Sequence, residues 1–295
     1  MTCHLRGQML KLVPLADYTS WRIGGPAETL YKPSDLADLQ TFIRHHLASD
    51  EPLLWLGLGS NTLIRDGGVK GTTIITQGSL KQLLFLDPKT IRAEAGVSSA
   101  QLARFAARNG FGGSEFLAGI PGTIGGALAM NAGCYGHETW EGVVAVETID
   151  RFGEIHVRTP AEFKVSYRHV VMPPGEWFVA GHFQWPESVL PEQALAAIRS
   201  LLVRRAATQP TGDYSCGSVF RNPPENYAAR LIEACSLKGF RMGGALVSPK
   251  HANFIINDGT ATAKDIEALI KHCASQVLQQ QKVSLQQEVH IYGDP

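Results

Sequence analysis

The chain has 295 residues, 44% of them hydrophobic and 18% charged. That composition fits a globular protein of two or three packed domains and excludes a disordered chain. Its 27 Lys and Arg balance 27 Asp and Glu, so no overall basic field is available to attract nucleic acid or an anionic membrane, and any anion site must be local. Residues 9–16 (MLKLVPLA) are too short for a signal peptide and are interrupted by Lys11 and Pro14. Ser34-Asp35 ahead of Leu36, Leu39, Ile43 and Leu47 predicts a capped amphipathic helix. After Pro52, LLWLG reads as a buried strand ending in GLGSN. A second helix is predicted from about Ser98 to Arg108, with Leu102, Phe105 and Ala106 on one side and Asn109-Gly110 as its stop. Residues 143–149 and 154–158 are β-rich around Asp150-Arg-Phe-Gly153, which predicts a hairpin.

Composition shifts near 186, where Pro186 and Pro191 flank a short polar joint. The following PEQALAAIRSLLVRRAA is a helix with a stripe of Leu195, Ile198, Leu201 and Leu202. A Gly/Pro/Ser-rich loop spans 209–224, and further helices are expected near 226–237 and 263–280 with a strand, ANFIIN, between them. The terminal LQQEVHIYG alternates like a strand. The chain therefore divides into an α/β unit (1–70), a β-rich unit (71–188) and an α+β unit (189–295), an α+β protein overall.

The five cysteines (Cys3, Cys134, Cys216, Cys235, Cys273) include no CxxC pair, and the ten histidines form no HExxH. Free thiols in a reducing, cytoplasmic compartment are expected, and no metal is assigned. From Phe116 to Tyr135 there is no charge over 20 residues, roughly a bilayer's span, yet the stretch holds five glycines and Pro121. A glycine-built loop, not a membrane span, is the reading.

Five segments carry candidate chemistry. Gly57-Leu-Gly59-Ser60-Asn61 follows a predicted strand, where glycines admit a ligand and successive N–H groups can cradle phosphate; a tight turn explains it equally. A nicotinamide Rossmann turn fits less well, because the full GxGxxG is absent. The second segment, Gly119-Ile-Pro121-Gly122-Thr123-Ile-Gly125-Gly126 running on to Asn131-Ala-Gly-Cys-Tyr135-Gly, is too glycine-rich for generic core and suits backbone wrapped around a large cofactor. Two such loops can hold one extended dinucleotide. The remaining three are Ser166-Tyr-Arg168, the serine of Cys216-Gly-Ser218-Val-Phe-Arg-Asn222-Pro, and Glu288, which shares a strand face with His290. Taken singly, they also read as a surface pair, a turn serine and a solvated glutamate. Cys216 has no paired base and reads as a packed thiol.

Together these segments, with TSWRIGGP at 19–26 and SPKHANFIIN at 248–257, resemble the UDP-N-acetylenolpyruvoylglucosamine reductase family, the UDP-N-acetylmuramate dehydrogenases of peptidoglycan synthesis. The matches run in order over nearly the whole chain. The resemblance implies a two-part FAD-binding domain of the vanillyl-alcohol oxidase (PCMH) type, followed by a C-terminal α+β substrate domain. With few residues between Arg168 and Ser218, the chain looks like the family's compact type. FAD, non-covalent, and NADPH as co-substrate are implied, and the substrate would be UDP-N-acetylglucosamine enolpyruvate. No obligate protein partner is evident.

By the same resemblance, Arg168, Ser218 and Glu288 are catalytic. Gly57, Gly59, Ser60, Asn61, Gly119, Pro121, Gly122, Thr123, Gly125 and Gly126 bind the cofactor, and Tyr135, Asn222 and Lys250 touch substrate. Lys250 and His251 can equally be structural. Where the family often has a serine two places after the arginine, this chain has Val170. The rival readings are another FAD oxidoreductase of the same fold and a non-catalytic nucleotide-binding protein.

Overall fold

The computed structural model describes residues 4–185 and 187–295. Cys3 and Pro186 lie outside the described residues. The chain folds into two units, each assembled from separated segments. One contains the described residues through Leu10, Thr29–Gly57 and Gly71–Arg204; the other contains Lys11–Glu28, Leu58–Lys70 and Arg205–Pro295.

In the first unit, α1 (Leu36–His46) begins where Asp35 accepts a hydrogen bond from the Asp38 amide, satisfying one of the free donors of the first turn. Its Leu39, Phe42 and Ile43 are buried with Tyr31, Ile74 and Leu80. Leu53–Leu56 runs parallel to the strand ending at Ile75, with Leu54 opposite Thr73. The unit's larger sheet orders its strands Ile155–Arg158, Val143–Asp150, Glu176–Phe183, Thr90–Glu94 and Leu83–Asp87. The predicted hairpin is present, with Ile149 opposite Ile155 and Gly153 at φ +75° in the turn.

α2 (Ser99–Arg108) opens with a reciprocal Ser98–Gln101 capping box and stops at Asn109, followed by Gly110 at φ +80°. Its Leu102, Ala103 and Ala106 join a core with Ile124, Leu128, Val146 and Phe183. The glycine-rich stretch is not all loop: α3 occupies Ile124–Met130. A Cβ at Gly125 would stand 2.9 Å from the Ala95 Cβ, so this glycine serves close packing of the helix. Glycine density alone cannot distinguish that use from a loop. α4 (Pro191–Thr208) buries Ala194 and Ile198.

The second unit is built on α5 (Ala228–Ala234) and α6 (Ala263–Gln281) against a sheet of Arg241–Met242, Ala245–Val247 and Ile255–Asn257. Thr262 caps α6 in a capping box with Asp265. Trp21 is fully buried in this core; its indole N–H donates to the Ile255 carbonyl at 2.7 Å, and its own carbonyl accepts from Asn257 at 2.8 Å. The terminal segment departs from the expected strand. Only His290–Tyr292 is regular, parallel to Thr62–Ile64. Upstream, Gln287 bridges Phe220, and the amides of Glu288 and Val289 both point to the Val219 carbonyl at 2.8 and 3.4 Å. Two amides on one carbonyl break the alternation, and the chain then changes partner. Among the described residues, no helix is long and apolar enough to cross a membrane.

Candidate active site

Gly57 ends its strand against Thr123: a Cβ there would lie 2.3 Å from Thr123 Oγ1. That hydroxyl is buried and has no hydrogen-bond partner. An orphaned buried hydroxyl costs stability unless a ligand uses it, and this one borders a glycine whose backbone carries no side chain to screen it. Gly122 is at φ +147°, and its carbonyl accepts from the Ser99 amide at 3.1 Å. Pro121 and Gly126 are exposed, and a Cβ at Gly126 would meet nothing within 4 Å. Gly119 is pressed against Tyr135, whose ring would lie 2.7 Å from an added Cβ. These features fit an FAD held by backbone and small side chains.

Tyr135, at φ +57°, donates its hydroxyl to the Leu201 carbonyl at 2.7 Å, and the Arg204 guanidinium lies 5.9 Å from its ring centroid. Arg168 sits in the two-residue turn of a hairpin in which Ser166 faces His169. It too is left-handed, at φ +54°. Its guanidinium donates to the Gly133 carbonyl at 2.6 Å and the Asn131 carbonyl at 3.3 Å, and Glu138 is 3.8 Å away. Val170 turns its side chain into the core.

In the second unit, Gly59 is at φ +64°, and a Cβ would fall 2.2 Å from the Tyr18 carbonyl. Its own carbonyl accepts from Ser20 N at 3.2 Å and from Cys216 Sγ at 3.3 Å. Ser60 and Asn61 are half-buried beside it. Asn61 Nδ2 donates to the Glu288 carbonyl, and the Asn61 carbonyl accepts from His290 N, both at 3.1 Å. Ser218 is half-buried, one residue before Val219, whose carbonyl takes the Glu288 amide. Thus the Ser218 and Glu288 segments lie side by side, and Asn61 is tied to the second. Glu288 is half-buried just ahead of the regular strand, and His290, the first residue of that strand, is exposed. Cys216 is buried, and burial pushes its thiol up to about 11, the opposite of an activated nucleophile.

Two of the substrate candidates have structural partners. Asn222 Oδ1 accepts from the Ala228 amide at 3.1 Å, at the start of α5, and the Lys250 ammonium donates to the Ala206 carbonyl. His251 Nδ1 is buried without a partner, and burial, followed by the charge of Lys238, pulls its pKa down. In the sequence Asn131 stands out only as part of the glycine-rich segment, and Glu138 does not stand out at all. Asparagine favours the left-handed cap of a helix, but α3 is not legible in the sequence, so that cue is hidden with it.

Residues 27–158 match the FAD binding domain family, and residues 209–292 match the C-terminal domain of UDP-N-acetylenolpyruvoylglucosamine reductase. The fold is also that of 6-hydroxy-D-nicotine oxidase from Arthrobacter nicotinovorans, at a TM-score of 0.56 over 94% of this chain and 86% of that one, with 11% identity. An FAD-binding PCMH-type domain followed by this C-terminal domain defines an FAD-dependent oxidoreductase. A UDP-N-acetylenolpyruvoylglucosamine reductase of Legionella pneumophila is 58% identical over 98% of this chain and 94% of its own length, and one of Alkalilimnicola ehrlichii is 54% identical over 98% and 96%. The crystal structure of the Thermus caldophilus enzyme aligns at a TM-score of 0.81 and 33% identity, over 98% of this chain and all of that one. The chain belongs to the UDP-N-acetylenolpyruvoylglucosamine reductase family.

Proposed function

We propose that this protein reduces UDP-N-acetylglucosamine enolpyruvate to UDP-N-acetylmuramate for peptidoglycan synthesis, in the cytoplasm, with non-covalent FAD and with NADPH as co-substrate. The observation that carries the reading is the backbone register of the Ser218 and Glu288 segments, fixed by Glu288 N to Val219 O at 2.8 Å and Arg221 N to Gln286 O at 2.9 Å, in a chain belonging to this family. In the proposed division of labour, residues 1–70 and 71–188 form the two parts of the FAD domain and 189–295 the substrate domain. Gly57, Gly59, Ser60, Asn61, Gly119, Pro121, Gly122, Thr123, Gly125 and Gly126 hold the cofactor. Tyr135, Asn222 and Lys250 meet the nucleotide-sugar.

Bound FAD supplies a hydride, taken from NADPH, to the distal carbon of the enolpyruvyl ether. Negative charge then develops on the adjacent carbon and spreads into its carboxylate. The planar fork of Arg168 suits that carboxylate, and preorganised donors of this kind are worth roughly a hundredfold or more each. Glu288, if ionised, would oppose the same charge, so its role requires a proton or the pairing of its charge with Arg168. Ser218 gives the final proton to the carbanion.

The test is an anaerobic absorbance titration of the holoprotein. The oxidised flavin band should bleach with NADPH and return on adding the enolpyruvyl substrate. Bleaching without return would keep the flavoenzyme and remove the substrate. No flavin after reconstitution would remove the catalytic reading altogether.

A further inference from the structure

Arg168 stands in a turn whose left-handed backbone does not favour arginine, and its guanidinium spends two donors on backbone carbonyls. Both carbonyls belong to Asn131–Gly133, the turn that leaves α3, so the position of the charge is set by that turn. Asn131 is 1% exposed and left-handed at φ +43°. Its side-chain amide donates to Glu138 Oε2 at 2.6 Å and to the Ser166 carbonyl at 3.2 Å, and its Oδ1 accepts from the Trp140 amide at 3.2 Å. One side chain thus joins the foot of the Arg168 hairpin, the segment after α3 and a carboxylate. The other oxygen of that carboxylate is the one 3.8 Å from the guanidinium.

We propose that Asn131 and Glu138 are positioning residues for Arg168. Glu138 orients the Asn131 amide; Asn131 fixes both the hairpin foot, through Ser166, and the carbonyls that hold the guanidinium. The inference rests on the reading above that Arg168 acts on the substrate carboxylate. The Glu138–Asn131 link is a hydrogen bond to a carboxylate oxygen, which a carboxamide oxygen can replace. The 3.8 Å contact to Arg168 is a charge pairing, which it cannot. Because the hydrogen bond is the shorter link, orientation is its main contribution.

The experiment compares holoenzymes of N131G, E138A, E138Q, R168K and N131G/R168K. Asn131→Gly is chosen because glycine keeps the left-handed backbone while deleting the amide. FAD content and the rate of flavin bleaching by NADPH should stay at wild-type values. Re-oxidation of the reduced enzyme by the enolpyruvyl substrate should slow about 10- to 100-fold in N131G and E138A, the range expected when a catalytic group is displaced by an ångström or less. Glu138→Gln should restore it to within about threefold, and adding N131G to R168K should slow it by less than about threefold, because the two act as one unit. Wild-type re-oxidation in N131G and E138A with a slow R168K would overturn the positioning role and leave Arg168 catalytic. Wild-type re-oxidation in R168K would remove the reading of Arg168, and the proposal with it. Equal losses in bleaching, flavin content and re-oxidation would make Asn131 and Glu138 merely structural and overturn the proposal too.

Discussion

Asn61 Nδ2 donates to the main-chain carbonyl of Glu288 at 3.1 Å, and the next link, His290 N to Asn61 O, repeats the distance. The glycine loop is thereby clamped to the segment that carries a proposed catalytic carboxylate. Asn61→Ala removes one clamp and leaves the parallel strand pairing in place, so it should cost about 1 kcal/mol of stability. Substrate-driven flavin re-oxidation should fall roughly tenfold, through displacement of Glu288, while NADPH-driven bleaching is preserved. Stopped-flow measurement of the two half-reactions, beside urea unfolding, checks this. A loss confined to FAD affinity would assign Asn61 to the cofactor alone.

Ser218→Ala separates proton delivery from everything earlier. Flavin content and bleaching by NADPH should be normal, and product formation should fall by about 10²- to 10⁴-fold, the usual worth of a positioned proton donor. Neighbouring Cys216 is buried and its thiol, pushed up to about 11, stays protonated near neutrality and is no nucleophile, so Cys216→Ala should leave the pH–rate profile near neutrality in place. Full turnover in S218A, read by product chromatography, would exclude the serine as donor.

The elements legible in the sequence are those whose information is local. α2 is set by Ser98, Gln101 and an apolar face at helical spacing, and the Asp150–Gly153 turn by residues adjacent in the chain. What the sequence hides is information that spans distance. Trp21 bonds to a carbonyl 234 positions away, and nothing near it marks that partner. α3 was concealed because glycine serves both loops and close helix contacts, and only the position of Ala95 tells them apart. The end of the chain alternates as a strand should, but the Val219 carbonyl takes two of its amides and breaks the pattern. The candidate site was legible as a set of motifs. The hub at Asn131 was not, since its bonds to Ser166 and from Arg168 span 35 and 37 positions.

Thr123 offers a test in which stability and function move in opposite directions. Its buried hydroxyl has no partner, so Thr123→Val removes an unsatisfied polar group and should stabilise the apoprotein by about 1 kcal/mol. If the hydroxyl serves FAD, the same change should weaken FAD binding by roughly tenfold, the worth of one hydrogen bond. Thermal unfolding of apoprotein and fluorescence titration with FAD measure the two effects separately. Unchanged FAD affinity would take Thr123 out of the cofactor set.

The acid limb of the stability curve should depend on Glu147. Its carboxylate takes Arg92 Nε and Nη2 at 2.7 and 2.6 Å and His182 at 2.7 Å, inside the five-stranded sheet. Burial alone would raise its pKa, but the hydrogen bonds from Arg92 and His182 outweigh it and hold the group at about 2, against an ordinary value of 4.5. A folded-state pKa below the unfolded one means that the unfolded chain binds the proton first as pH falls. The contribution is therefore complete above about pH 4.5 and is lost as pH drops toward 2. Glu147→Gln abolishes that dependence and leaves Arg92 facing a neutral amide, so E147Q should be less stable than wild type at pH 7. The gap between the two should narrow steadily from pH 4.5 downward. Urea midpoints measured across that range decide it: a gap that stays constant would mean that Glu147 titrates normally in the folded protein, and that the Arg92 pairing does not set its charge.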